Sequence, residues 1–133
     1  IGVSEKPSLF EKDTINWHQF DKSLYELITK MNELRRNIST FSSGSYQVIN
    51  TSDPESIFAF SRYNAQEVVL IVTNLKSKSQ MATIDLAPIS AKIPNTEPEL
   101  LVGTGVFSLE NNTLYLPCYG YDYYLFRFET KND

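Results

Sequence analysis

A single cysteine and a single histidine in 133 residues close off several chemistries at once. Cys118 has no second thiol for an internal disulfide, and one histidine cannot build a typical His/Cys zinc site. No metal and no cofactor is therefore expected. Basic residues are also scarce: twelve Lys and Arg face sixteen Asp and Glu, for a net charge of −4, and they are scattered along the chain. The basic patch that marks a nucleic-acid surface is missing, so no nucleic-acid partner is expected. The apolar runs fall far short of a bilayer-spanning helix, and no membrane partner is expected either. Only five glycines occur. Gly103 and Gly105 read as a turn between short strands rather than a phosphate-binding loop.

Apolar residues make up 41% of the chain and aromatics 13%. That is enough for one ordinary domain with a real core and no covalent staple. The chain opens on Ile1-Gly2-Val3, without initiator Met, charged n-region or signal-type stretch, which fits processing or excision from a longer protein. Three Asn-x-Ser/Thr triplets, at Asn37, Asn50 and Asn111, arise readily by chance in so Asn/Ser/Thr-rich a chain and specify no compartment.

Residues 1–20 show no sustained period and read as an extended connector. From Asp21 to Asn37 the pattern is helical, with Leu24, Leu27, Ile28, Met31 and Leu34 forming one apolar stripe. Asp21 fits an N-cap, Phe20 can staple onto Tyr25, Arg35 and Arg36 suit the negative end of the dipole, and Asn37 is an acceptable terminator. After it the period becomes that of strands. Strands are expected near Ser45–Ile49, Ile57–Tyr63, Glu67–Asn74, Gln80–Asp85, Leu100–Val102, Val106–Leu109, Thr113–Leu116 and Tyr121–Glu129. Residues 87–98, with three prolines, read as the loosest part. The expected fold class is mainly β: one N-terminal amphipathic helix followed by an antiparallel β-sandwich of about eight strands, of Greek-key type. A lone helix before a sandwich leaves two options. It packs on the sandwich, or it is the last helix of a preceding domain.

Several segments bear on that choice. Leu9-Phe10-Glu11-Lys12-Asp13-Thr14-Ile15-Asn16-Trp17 is similar to the "LFEKDPIDW" segment of the alpha-amylase family of glycoside hydrolases, departing from it at Thr14 and Asn16. Residues 24–36 resemble the helix that closes that family's (β/α)8 barrel. Gly44-Ser45-Tyr46, residues 57–62 and residues 69–75 resemble its "G-x-Y", "v-f-a-f-x-R" and "v-l-v-v-x-N-l" progression. Leu116-Pro117-Cys118-Tyr119-Gly120 resembles its "lpPyg" turn, with Cys118 replacing a proline. The resemblance implies that residues 1–39 are the connector and last helix of a truncated catalytic barrel. Residues 40–133 would then form the C-terminal all-β sandwich. Leu24, Leu27, Ile28, Met31 and Leu34 would contact the upstream barrel of the same polypeptide. An isolated fragment would expose that stripe or self-associate through it.

The family is a retaining one and needs two nearby carboxyls. The resemblance puts these upstream of Ile1, so no catalysis by this chain is expected. Asp53, Glu55, Glu97, Glu99, Glu11 and Asp13 all read as solvated loop charges. His18 lacks an orienting partner, and Cys118 reads as a small buried hydrophobe. Contact with an α-glucan is the activity left open. Trp17, Tyr63, Tyr119 and Tyr121 are the candidate substrate-binding rings, against the alternative that Trp17 anchors the connector and the tyrosines fill the sandwich. By the same resemblance residues 1–17 would lie near the active-site face, which brings in Phe10. The functional expectation is a non-catalytic C-terminal fragment of an α-glucan-active enzyme that stabilises its barrel. A free-standing carbohydrate-binding β module is the alternative. In the run from Tyr121 to Phe128 both strand faces are apolar, so most of it should be core, with Tyr119 and Tyr121 left for contact.

Overall fold

The computed structural model describes residues 6, 8–14, 16–93 and 97–129. They divide into two compact units, residues 1–38 and residues 39–133.

The first unit holds helix α1, Lys22–Asn37. Its start follows from hydrogen-bond accounting. The Asp21 carboxylate accepts from the Leu24 amide at 3.0 Å and from the Ser23 hydroxyl at 2.7 Å. These bonds, the Ser23 hydroxyl first, hold its carboxyl below the usual range. Phe20 meets Tyr25 edge to face across the cap, with ring centroids 6.0 Å apart. The helix ends one residue beyond the expected terminator: Asn37 is still helical, and Ile38, in extended conformation, returns its N–H to the Leu34 carbonyl at 2.9 Å. No residue of α1 is buried; Leu24, Leu27, Met31 and Leu34 are half-buried and Ile28 is exposed.

The second unit opens with a single helical turn, α2 (Thr40–Ser43), and continues as eight strands: β1 (Ser45–Ile49), β2 (Ile57–Tyr63), β3 (Glu67–Asn74), β4 (Gln80–Asp85), β5 (Glu99–Val102), β6 (Ser108–Glu110), β7 (Thr113–Cys118) and β8 (Tyr123–Glu129). One antiparallel sheet has the order β1-β2-β3-β8-β5 and the other β4-β7-β6. The chain passes between sheets at β3–β4, β4–β5, β5–β6 and β7–β8, which sets β5 beside β8, as a Greek-key sandwich does. A bridge between Thr51 and Ile84 ties the end of β1 to β4.

Alternation builds the core. Ile57, Ala59, Val68, Leu70, Val72, Tyr124, Phe126 and Phe128 project from one sheet and meet Ala82, Ile84, Leu114, Leu116 and Cys118 from the other. Phe126 lies edge to face with Phe107 at 5.0 Å between centroids.

Most expected strand limits recur, and the shifts have local causes. The strand expected from Val106 begins at Ser108, since Gly103 (φ 102) and Gly105 (φ 137) hold a loop that leaves Val106 exposed. The last strand begins at Tyr123 rather than Tyr121, because Tyr121 has φ 59 and belongs to a turn. Asn111 (φ 49) and Asn112 (φ 62) make the two-residue turn of the β6–β7 hairpin. Of the stretch read as loosest, residues 94–96 lie outside the described residues, and residues 87–93 are tighter than that reading. The Asp85 carboxylate accepts from the Ala87 amide at 2.9 Å, a short 3₁₀ turn spans Ala87–Ile89, and Leu86, Ile89 and Ile93 are buried in the core.

Candidate functional site

Two surfaces of the sandwich unit carry chemistry beyond packing. The first is the outer face of the five-stranded sheet. Its register lays out three rows across the strands: Phe58–Thr73–Tyr123, Val48–Phe60–Ile71–Leu125, and Tyr46–Arg62–Val69–Arg127. Two rows are almost wholly apolar. Tyr46, Val48, Phe58 and Tyr123 are exposed, and Phe60 contacts both Tyr46 and Phe58 with centroids 5.3 and 5.6 Å apart.

The third row is polar because it serves as a clamp. Glu67 is buried, and its carboxylate accepts from Arg127 Nε at 3.0 Å, the Ser39 hydroxyl at 3.1 Å and the Thr40 amide at 3.4 Å. Arg62 donates to the carbonyls of Thr40 at 3.1 Å and Gly44 at 2.8 Å, and the Asn64 amide to the Ser39 hydroxyl at 2.7 Å. These bonds fasten residues 39–44 onto the sheet. Sequence reasoning passed over Glu67. The missing signal was cross-strand: only the register brings Arg62, Glu67 and Arg127 to one end of the same face.

The second surface is the turn between β7 and β8. Tyr119 and Tyr121 are 55% and 67% exposed, and Tyr123, read from its alternation as covered, is 38% exposed. Tyr124 points inward and its hydroxyl donates to the Pro117 carbonyl at 2.9 Å. Burial, above all, pushes the Tyr124 phenol up to about 12.

The other named candidates are dispersed. Trp17 and Phe10 are exposed in the first unit, as is His18. Tyr63 packs partly against the core, and the Lys92 ammonium covers one face of its ring, 4.6 Å from the centroid, where a sugar would have to displace it. Glu11, Asp13, Glu55, Glu97 and Glu99 are exposed. Asp53 departs from the solvated reading. It is half-buried, accepts from Gln80 Nε2 at 3.3 Å, and is held below the usual carboxylate range chiefly by the Ser56 hydroxyl. It organises the turn into β2. Among the described residues no cluster of His, Cys, Asp and Glu could hold a metal ion.

Cys118 is buried on β7, and burial pushes its thiol up to about 11. The thiolate is the reactive form. Alkylation by iodoacetamide at pH 8 is therefore expected to run about a hundredfold slower than for a free thiol, and to reach the free rate in denaturant. Rapid labelling of the folded chain would contradict this.

The same arrangement of elements recurs in known structures. An Anoxybacillus alpha-amylase matches 90% of this chain with 25% of its own, at 20% identity and a TM-score of 0.68. A maltogenic alpha-amylase from Thermotoga neapolitana matches 97% with 31% of its own, at 17% identity and a TM-score of 0.76. The fold is that of a segment of alpha-amylase-family enzymes. A trehalose-6-phosphate hydrolase from Bacillus licheniformis shares it over 81% of this chain and 18% of its own, at 22% identity and a TM-score of 0.61. The chain thus spans from under a fifth to under a third of the alpha-amylase-family structures it matches. No family's sequence pattern and no curated protein matches it.

Proposed function

We propose that this chain is the C-terminal part of an alpha-amylase-family enzyme acting on α-glucans. Residues 1–39 would end its catalytic barrel and residues 40–133 form a sandwich that stabilises the barrel without taking part in catalysis. The observation that carries this reading is the lopsided coverage, nearly all of this chain against under a third of the alpha-amylases.

Two further features support it. The stripe Leu24, Leu27, Ile28, Met31 and Leu34 has no buried member, which suits a helix made to lie against barrel neighbours. The two apolar rows of the five-stranded sheet suit a face made to be covered. Retaining glycoside hydrolysis needs two carboxyls about 5 Å apart and free to reach substrate. Glu67, the one buried acid among the described residues, is already engaged by Arg127, Ser39 and Thr40.

The test is the reading frame upstream of Ile1 together with the solution behaviour of the chain. Several hundred upstream codons encoding a (β/α)8 barrel with its carboxylates are expected. The isolated chain should bind a hydrophobic dye and self-associate, and should release no reducing ends from maltoheptaose. A frame that starts at Ile1, or hydrolysis by the chain itself, would overturn the proposal.

A further inference from the structure

The turn from Pro117 to Asp122 is held far more firmly than joining two strands requires. Asn74, buried at the end of β3, donates through Nδ2 to the Lys78 carbonyl at 2.8 Å and the Tyr119 carbonyl at 2.9 Å, and its Oδ1 accepts from the Lys76 amide at 3.0 Å. The backbone adds three bonds: Asn74 N–H to the Asp122 carbonyl at 2.8 Å, Tyr121 N–H to the Lys76 carbonyl at 2.9 Å, and Asp122 N–H to the Tyr119 carbonyl at 3.2 Å. Gly120 lies so close to Ser77 that an added Cβ would stand 2.0 Å from its carbonyl oxygen.

This rigid frame presents aromatic rings to solvent. Tyr119, Tyr121 and Tyr123 are exposed within five residues, and Leu75 is exposed on the loop bonded to them. A four-residue turn keeps the Cα atoms of Tyr119 and Asp122 within about 7 Å, so the rings start from closely spaced points. Tyr121 adopts φ 59 at the third position of that turn, where glycine is usual. A bulky residue there costs stability, and for folding alone glycine or asparagine would serve better. Among the described residues the Tyr119 and Tyr121 hydroxyls take no hydrogen-bond partner and their rings make no ring contact. Strain that keeps an unpartnered ring in solvent has its return outside the fold.

We propose that Tyr119 and Tyr121 form a preorganised platform for an α-glucan chain. Tyrosine rings offer an apolar face to the C–H side of a sugar and a hydroxyl to its rim, and a fixed turn leaves little backbone freedom to lose on binding. The net charge of −4 disfavours a polyanion. Naming the sugar as an α-glucan rests on the functional reading above. The platform itself rests on the turn.

The experiment titrates the full chain with β-cyclodextrin and, separately, maltoheptaose and cellohexaose, followed by calorimetry. Dissociation constants in about the millimolar range are expected for the two α-linked ligands. Tyr119→Ala and Tyr121→Gly should each weaken them about five- to tenfold. Tyr121→Gly carries its own folding control: glycine accepts φ 59, so its melting temperature should equal or exceed that of the parent while binding falls. No heat with β-cyclodextrin at about 10 mM would overturn the proposal, as would unchanged binding in the double variant; both lie well beyond the expected range. Equal affinity for cellohexaose would overturn the assignment to α-glucans. The two readings fail separately. Tyrosine-dependent binding in a chain with no barrel upstream refutes the fragment and leaves the platform standing, whereas a barrel upstream with no binding refutes only the platform.

Discussion

Gly120→Ala is expected to lower the melting temperature of the chain by at least about 12 °C. The new methyl would stand 2.0 Å from the Ser77 carbonyl oxygen and 2.6 Å from its carbon, both backbone atoms with no rotamer to yield. Relief requires the turn at 117–122 to part from the loop at 74–79. Those segments are joined by Asn74 to Tyr119 and Asp122, and by Tyr121 to Lys76. Overpacking costs about 1–3 kcal/mol before any bond is broken, and each lost hydrogen bond adds about 1 kcal/mol. A total near 3 kcal/mol or more, at roughly 4–8 °C per kcal/mol for a domain this size, gives the stated shift. Gly105→Ala is the comparison. It meets nothing within 4 Å and carries only the strain of φ 137, so its cost should be about 1–2 kcal/mol, in the lower part of the range for a non-glycine residue in a strained backbone region. If the two variants melt together, the close approach at Gly120 is not what holds the turn.

Phe126→Ala should lose about 3–5 kcal/mol in denaturant unfolding, the range for deleting a buried phenyl ring. Phe126 is fully buried at the centre of β8, pairs with Leu70 on β3 and Leu100 on β5, and touches the Phe107 ring. Three strands and a loop would border the cavity, and β3 and β8, each paired on both sides, cannot collapse to fill it. Tyr123→Ala, three residues earlier on the same strand and exposed, should stay within about 0.5 kcal/mol. Equal losses at both positions would mean that the alternation of β8 does not decide which side chains build the core.

This contrast also marks what the sequence made legible. Periodicity placed α1 and the first four strands almost to the residue, because Leu24 to Leu34 repeat at helical spacing and Val68 to Val72 read only as strand. It misread Tyr121 and Tyr123. Alternation assigns a face to each residue of a strand, but it does not say where the strand begins or whether another layer covers that face. β8 begins only after the turn at 119–122, where Gly120 lies against Ser77 and Tyr121 takes a positive φ. Ser77 lies more than forty positions away, and no local pattern announces the collision. Glu67 escaped for the same reason: its partners Ser39 and Arg127 meet it only once the register exists. The candidate rings were legible as a set, while the frame that fixes two of them was not.

The place of β8 between β3 and β5 has a consequence for how this chain is made. As the polypeptide leaves the ribosome, β3 emerges with β2 already available on one side and nothing for the other. Its second neighbour follows only after residues 75–122 have been synthesised, which takes roughly 2–10 s at ordinary elongation rates. During that interval the β8-facing edge of β3 is open, with Val68, Leu70 and Val72 bare on the adjoining core face and Glu67 the strand's one charge, the kind of template that captures other nascent chains. Production of this chain should therefore depend on chaperone supply and on slow, cool expression, and a stop codon between residues 75 and 122, which leaves β3 without β8, should yield aggregate.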